Sequence, residues 1–472
     1  MDSYENAYIN DTLNRAFVPP LQHPRVCREN ELNQLVHQIK QCANAAEDGK
    51  NWLVLHGPPG TGKTKLLVQA LRCVPEIMGH FCDIIWINDN TTEPTRAITV
   101  FSDLYFSMAS LLDGDIMSTA KLTNETVLRD HVTRMSALLS KGLIVIDGVY
   151  LKSVVDFLIS VKCTVIFTTC STDIFESVRH RFSDDYSFYR LGSFLSTNEV
   201  VSLAEAYSER ITENQAIALS SNCLFNVALL GKLLAAIKKH SHMKRSVLDN
   251  DDPKAFVSFK ISSSYPFASL EEAINVMYES LDKSVATAFE VCAALPPAYP
   301  IPIDGFIFVW PVDFCGNESR ANIMMEVTED IMQLADNNLL EPTELDKWGN
   351  SCYRIHPMLQ SYLFWRVNRT KPRMIEDVHT TISQHLESLE EEQTFIELHN
   401  PEAQKECVEA LKTAVDKIHR KSKNYVSTIT STNTVQTPIV QNEETPSSSS
   451  KPKRTIWYWI RKLLWFLPLF KA

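Results

Sequence analysis

No stretch of this chain reaches the roughly 18 consecutive apolar residues of an ordinary membrane-spanning helix. Its 11 cysteines include no CxxC pair and no Cys/His cluster at zinc-ligand spacing. A signal peptide is missing as well. The cysteines therefore read as buried or free thiols of a reduced compartment, and a cytoplasmic protein is expected. Positive net charge is also lacking, since 57 acidic residues outweigh 46 basic ones to give a formal −11. A general nucleic-acid-binding surface would be basic, so no nucleic-acid partner is expected. Internal repeats of the kind that build solenoids or propellers are not found either.

What remains is globular: 44% of the 472 residues are hydrophobic and 22% charged. At roughly 100–200 residues per domain, such a length holds two to four domains. The charge is uneven. From Lys451 onward there are basic residues (Lys451, Lys453, Arg454, Arg461, Lys462, Lys471) and no acidic one, which leaves the rest of the chain more acidic than the total implies.

Between about 52 and 170, short apolar runs alternate with helical segments. The runs Trp52–His56, Ile84–Asn88, Leu143–Asp147 and Cys163–Thr168 are nearly continuous in apolar residues, as strands covered on both faces should be. Helical patterns lie between them, notably Lys63–Val74 and Val127–Leu139, giving the βαβ rhythm of a doubly wound parallel sheet. From about 195 the pattern is purely helical, with Ser196 and Glu199 spaced as a capping box. Ala273–Ala294 reads as one long helix. A helix near Met325–Asp336, short strands at Leu339–Glu341 and Cys352–Ile355, and a helix from Pro357 then spell a winged helix.

The expected fold class is α/β: a P-loop parallel-sheet domain followed by a helical domain and a winged-helix domain. The boundaries are a flexible N-terminus at 1–24, the nucleotide-binding domain at 25–194, and the helical domain with its connection at 195–264. The winged helix follows at 265–370 and a helical extension at 371–425. A linker at 426–454, rich in Ser, Thr, Asn, Gln and Pro, has too little apolar surface to offset its ordering entropy. The tail at 455–472 is aromatic and basic.

Gly57-Pro58-Pro59-Gly60-Thr61-Gly62-Lys63-Thr64 fits G-x-x-x-x-G-K-[ST] between the strand Trp52–His56 and the helix that follows. Its glycines let backbone N–H groups turn in around a phosphate at a helix N-terminus. Lys63 should reach the β- and γ-phosphates, and the Thr64 hydroxyl should ligate Mg²⁺. Leu143–Asp147 is the natural Walker B partner, a buried strand ending in a carboxylate, Asp147, that can hold magnesium through water. Many such ATPases place a carboxylate next, to activate water. Here Gly148 stands there, and hydrolysis is expected to be weak, since general-base assistance is worth about 10²–10⁴-fold. A carboxylate brought from elsewhere in the fold is the alternative.

These residues, with Cys163–Thr169, resemble the NB-ARC module of the STAND ATPases, a family that includes apoptotic protease-activating factors and plant disease-resistance proteins. The resemblance runs from about 25 to about 370. It includes Ile84–Ile87, Leu219–Ser221, Ala294–Pro297, Ile301-Pro302 and Pro311–Cys315. It implies three domains closing over ADP or ATP with Mg²⁺, and a nucleotide state that gates self-association or assembly with related adaptor subunits. By position it implies that Val26 and Arg28 touch adenine, that Gly57 to Lys65 hold the phosphates, and that Leu224 stands where the family has an adenine-packing proline. The family's Met-His-Asp is Ile355-His356-Pro357, so His356 is either a β-phosphate contact or a structural histidine. Its γ-phosphate-sensing Thr-Thr-Arg is Thr168-Thr169-Cys170, and a thiol cannot replace a guanidinium fork. No caspase-recruitment domain is expected before Val26, and no propeller or leucine-rich repeats after the winged helix.

In the tail, Ile460, Leu463, Leu464 and Leu467 share one helical face, away from Arg461 and Lys462, with Trp457, Trp459 and Trp465 nearby. An anionic membrane surface suits that pattern. A helix docked on the protein's own acidic body, or a partner-binding peptide, are the competing readings. Functionally, an ADP/ATP-binding switch or scaffold leads. An active AAA+-like ATPase and a winged-helix DNA-binding regulator stand as alternatives.

Overall fold

Strands that are apolar at every position need cover on both faces, and the fold supplies it. The computed structural model describes residues 3–21, 28–45, 49–89, 94–112, 119–139, 141–183, 187–192, 195–207, 211–223, 226–239, 269–296, 300–303, 305–310, 320–346, 349–390, 408–409, 411–413, 415–420 and 422–423. The chain divides into two units, Met1–Val426 and Ser427–Ala472, and every described residue belongs to the first. The connection at 240–264, the linker at 426–454, the tail at 455–472 and the segment Pro311–Cys315 lie outside the described residues.

Five strands, β1 (Trp52–His56), β2 (Asp83–Asn88), β3 (Gly142–Val149), β4 (Thr164–Thr169) and β5 (Phe188–Arg190), form a sheet in the order β2-β3-β4-β1-β5. All of its pairings are parallel. Successive side chains leave opposite faces of a strand. Trp52, Val54, Ile85 and Ile87 accordingly enter one core, under the helices Ala97–Leu111 and Glu125–Leu138. Leu53, Leu55, Ile84 and Trp86 enter the other, under Glu29–Asn44 and Lys63–Cys73. Four strands fall on the apolar runs to within a residue or two. β5 has only three residues and no apolar run to announce it.

The N-terminal segment, expected as a flexible stretch, contains a helix. Ser3–Arg15 is a helix whose Ile9 and Leu13 are buried in the second core. Ile9, Leu13 and Ala16 stand at helical spacing, a period too short to notice beside the polar residues around it. The helix ends in a Schellman motif, with Val18 N–H on the Leu13 carbonyl and Phe17 N–H on the Asn14 carbonyl, both at 3.0 Å. Arg72 ties down the exit by donating to the carbonyl of Pro19 at 2.8 Å.

Helices from 195 onward build one continuous core that includes Leu203, Leu230, Phe289, Phe306, Leu363 and Val415. Residues expected in the helical domain, the winged helix and the helical extension thus share their interior. The winged-helix sheet is antiparallel, with β6 (Ile301–Pro302), β7 (Leu340–Pro342) and β8 (Cys352–Ile355) in the order β6-β8-β7. The single helix expected over Ala273–Ala294 is instead two, Leu270–Glu279 and Lys283–Val291, parted by a turn at Ser280–Asp282. Ile274, Met277, Leu281, Val285 and Ala288 keep helical phase through the turn, so the periodicity hides the break.

Phe17 closes the N-terminal Schellman motif at φ +58° while 79% exposed, a costly place for a side chain that buries nothing. Replacing Phe17 by Gly should raise the urea-unfolding free energy by about 0.5–1 kcal/mol. Leu13→Ala should lower it by about 2–4 kcal/mol.

Candidate nucleotide site

Parallel strands present all their carboxyl ends at one edge, where the loop after β1 turns into the helix Lys63–Cys73. Two glycines there have no alternative. Gly60 has φ +78°, and a Cβ on it would stand 2.7 Å from Asn226. Gly62 has φ +96° with nothing within 4 Å of such a Cβ, and it precedes a helix whose first turn has no side-chain cap. Uncapped N–H groups behind an open approach are what an anion requires. The Thr61 hydroxyl braces the loop from inside by donating to the Pro58 carbonyl at 3.0 Å.

Lys63 Nζ donates to the carbonyls of Gly57 at 2.7 Å and Pro58 at 2.9 Å, and lies 3.3 Å from Cys170 Sγ. Lys65, in the first turn of the helix, is exposed as a whole residue, while burial around its ammonium lowers its pKa below the ordinary lysine value.

Because β4 lies between β1 and β3, its end joins the phosphate loop to the acidic strand. Thr64 Oγ1 donates to Asp147 Oδ1 at 2.7 Å, and Thr168 Oγ1 donates to the same oxygen at 2.5 Å. Thr168 Oγ1 in turn accepts the Gly148 N–H at 2.8 Å. Burial raises the Asp147 carboxyl above its ordinary pKa, opposed by these two hydroxyls and by the Lys63 charge. Gly148 is more than a missing carboxylate. It has φ +85° at an irregularity in the β3–β4 register, so a glutamate here would be strained by about 1–2 kcal/mol.

Around this core the expected contacts separate. The Arg28 guanidinium, 4% exposed, donates to the carbonyls of Thr61 at 3.3 Å and Gly192 at 3.1 Å. It also pairs with Glu31 at 2.9 Å and approaches Glu199 at 3.8 Å. Arg28, at the start of the helix Glu29–Asn44, thereby ties that helix, the phosphate loop, the exit of β5 and the helical region together. Glu199 and Ser196 form the expected reciprocal cap. Val26 and Leu224 lie outside the described residues.

His356 is the N-cap of Pro357–Thr370, where its Nδ1 accepts the Met358 N–H at 3.1 Å. Burial, aided by the Arg354 charge, lowers its pKa from 6.5 to about 3, so the ring is neutral near pH 7. A neutral ring adds no full positive charge to the site.

Two asparagines that the sequence reading passed over hold the arrangement. Asn226 caps the helix Val227–Lys239, its Oδ1 accepting the N–H groups of Ala228 at 3.1 Å and Leu229 at 3.2 Å. Its Nδ2 donates to the Pro59 carbonyl at 3.0 Å, and Ala228 N–H donates to the Gly60 carbonyl at 3.1 Å. Asn338, just past the helix Arg320–Asp336, contacts His56 and the Cys170 carbonyl, each at 3.0 Å. Asparagine directly before an apolar helical run is an N-cap signal, and asparagine two residues past a helix is a C-terminal one. Both signals are in the sequence, but neither says what the side chain's second hydrogen bond will meet.

The NB-ARC domain model matches residues 30–207, and the winged-helix domain model of CED4 matches residues 285–386. The chain carries an NB-ARC domain followed by a CED4-type winged helix. It is similar to Cell death protein 4 of Caenorhabditis elegans at 23% identity over 333 residues, covering 68% of this chain and 58% of that protein. It is similar to human Apoptotic protease-activating factor 1 at 22% identity over 313 residues, covering 65% of this chain and 24% of that protein. The chain thus spans little more than half the length of the first relative and a quarter of the second. Among solved structures, Cdc6p from Pyrobaculum aerophilum matches 76% of this chain and 98% of its own at 12% identity and a TM-score of 0.31. The NB-ARC match begins at residue 30, just past Arg28, and the winged-helix match spans His356 and Asn338.

Below pH about 6.5 the unfolded chain protonates the ring of His356 while the folded chain does not, so this residue costs stability on acidification down to about pH 3. His356→Asn keeps a capping side chain that does not titrate. Urea titrations between pH 7.5 and 4.5 should show a shallower fall in stability for this variant than for the wild type.

Proposed function

We propose that this chain is an ADP- or ATP-binding switch or scaffold of the apoptotic-adaptor type, in which nucleotide gates self-association or assembly with related adaptor subunits. One observation carries the reading. The phosphate loop with Lys63, the Thr64–Asp147 pair and a corner of the winged helix meet at the same edge of the sheet. A nucleotide there would touch groups from separate parts of the chain and favour the arrangement that brings them together.

The donor set fits Mg²⁺. Thr64 Oγ1 and Asp147 Oδ1 are adjacent hard oxygens of the kind this cation takes, and the charge of Asp147 is otherwise buried among hydroxyls. When bound, the cation neutralises phosphate charge. The uncapped helix N-terminus and Lys63 hold the phosphates, and Arg28 and Asn226 fix the loop that presents them. Gly148 supplies no proton acceptor, so turnover is slow and the protein acts by binding. This weighs against an AAA+-like motor. The region from Ala273 to Trp365 has no dense basic stripe, which weighs against a DNA-binding winged helix.

Denaturing the purified protein should release ADP or ATP from the wild type and none from Lys63→Ala. Phosphate release at ordinary AAA+ rates, or an empty wild-type pocket, would sink the reading.

The site of action is the cytoplasm, with the tail placing the protein at an anionic intracellular membrane surface. The basic and aromatic composition of 455–472 supports this, opposite in charge to the rest of the chain. In flotation with phosphatidylserine liposomes, the whole chain should rise and a chain ending at Ser450 should stay behind. Equal flotation of the two rejects a membrane role for the tail.

A further inference from the structure

We infer that Asn338 is a positioning residue for the nucleotide site: the winged-helix side chain that holds the base of the phosphate loop and couples nucleotide retention to closure of the winged helix. The inference rests on the nucleotide reading above and names the residue through which that site is regulated.

Asn338 is 1% exposed and occupies the C′ position of the helix Arg320–Asp336, with φ +55°. Its backbone is fixed by a Schellman motif, in which Leu339 N–H reaches the Leu334 carbonyl at 2.9 Å and its own N–H reaches the Ala335 carbonyl at 3.0 Å. The local helix end therefore sets the backbone and leaves the side-chain amide for another task. Its Nδ2 donates to the carbonyl of Cys170, at the end of β4, and its Oδ1 faces His56 Nδ1, at the end of β1.

The two anchors flank the phosphate loop. His56 immediately precedes Gly57, and Cys170 Sγ lies 3.3 Å from Lys63 Nζ. A shift of the loop or its lysine therefore reaches both ends of the amide. Neighbouring contacts of the same corner are more peripheral. Ser171 donates to Asn337 at 2.5 Å, Thr172 donates to the Asp336 carbonyl at 2.7 Å, and Arg190 donates to the Leu340 carbonyl at 2.7 Å.

The hydrogen bonds also fix a tautomer. Nδ2 is committed as a donor to Cys170, so Oδ1 must accept from His56, and the imidazole must carry its proton on Nδ1. Burial first, and then the charges of Arg190 and Lys63, lower the His56 pKa to about 4 against the opposing hydrogen bond to Asn338, so the ring is neutral near pH 7. The amide thus does what neither the thiol of Cys170 nor a neutral His356 can do: it links the loop's strand to the winged helix through directional bonds.

Asn338→Gly is the informative variant. Glycine is preferred at C′, so the helix end is retained while both side-chain bonds vanish. With fluorescently labelled ADP, release from Asn338→Gly should be about tenfold faster than from the wild type, the scale of losing two modest hydrogen bonds. Met332→Ala, on the exposed side of the same helix, should release at the wild-type rate. By ¹⁵N NMR, the Nδ1–H signature of His56 should be present in the wild type and lost in Asn338→Gly. Unchanged release, or equal acceleration in Met332→Ala, overturns the inference. A wild type that binds no more labelled ADP than Lys63→Ala overturns the nucleotide reading instead, and the inference with it.

Discussion

All five strands of the sheet run the same way, and this one constraint organises the site. Antiparallel strands would scatter their ends over two edges. Here the phosphate loop after β1, the carboxylate on β3, the threonines and Cys170 at the end of β4, and Arg190 on β5 open on a common edge. The strand order adds the next level of control. With β4 between β1 and β3, Thr168 can reach Asp147 and Cys170 can reach Lys63. Covering both faces of the sheet then leaves that edge as the place where the rest of the chain must meet it.

The pieces that come to the edge share a chemical logic. Each carries a buried polar group whose second hydrogen bond is made across a boundary. Arg28 spans from the start of the helix Glu29–Asn44 to Thr61 and Gly192, Asn226 from a helical cap to Pro59, and Asn338 from a helix end to His56 and Cys170. Buried polar groups left unpaired cost about 1–3 kcal/mol each. Moving any of these elements away from the loop therefore requires water or another partner to replace those bonds. The position of the phosphate loop is thus tied to the positions of the helical and winged-helix regions through these few bonds.

Much of this was legible in the sequence. Continuous apolar runs located four strands, and G-x-x-x-x-G-K-[ST] located the loop, because backbone geometry and phosphate chemistry constrain those residues locally. The capping pair Ser196–Glu199 was equally readable. The short strand β5 and the break at Ser280–Asp282 were not, since three residues leave little pattern and a turn can keep helical phase. The N-terminal helix was overlooked because its apolar period is brief. His356 stood open between two roles, and its Nδ1 proved to be occupied by a helix cap.

The sequence alone determined that this chain binds its interior around a parallel sheet and puts a phosphate loop at the end of the first strand, since those follow from periodicity and from glycine's freedom at defined positions. It also determined that Gly148 and Cys170 offer neither a base nor a guanidinium, which is a matter of residue chemistry. Only the tertiary structure decided which distant side chains meet the loop. Asn226 and Asn338 lie 167 and 168 residues from the backbone carbonyls they bind. Bonds across such separations depend on strand order, on where helices end and on how separate layers share a core, and no local pattern in the chain records them.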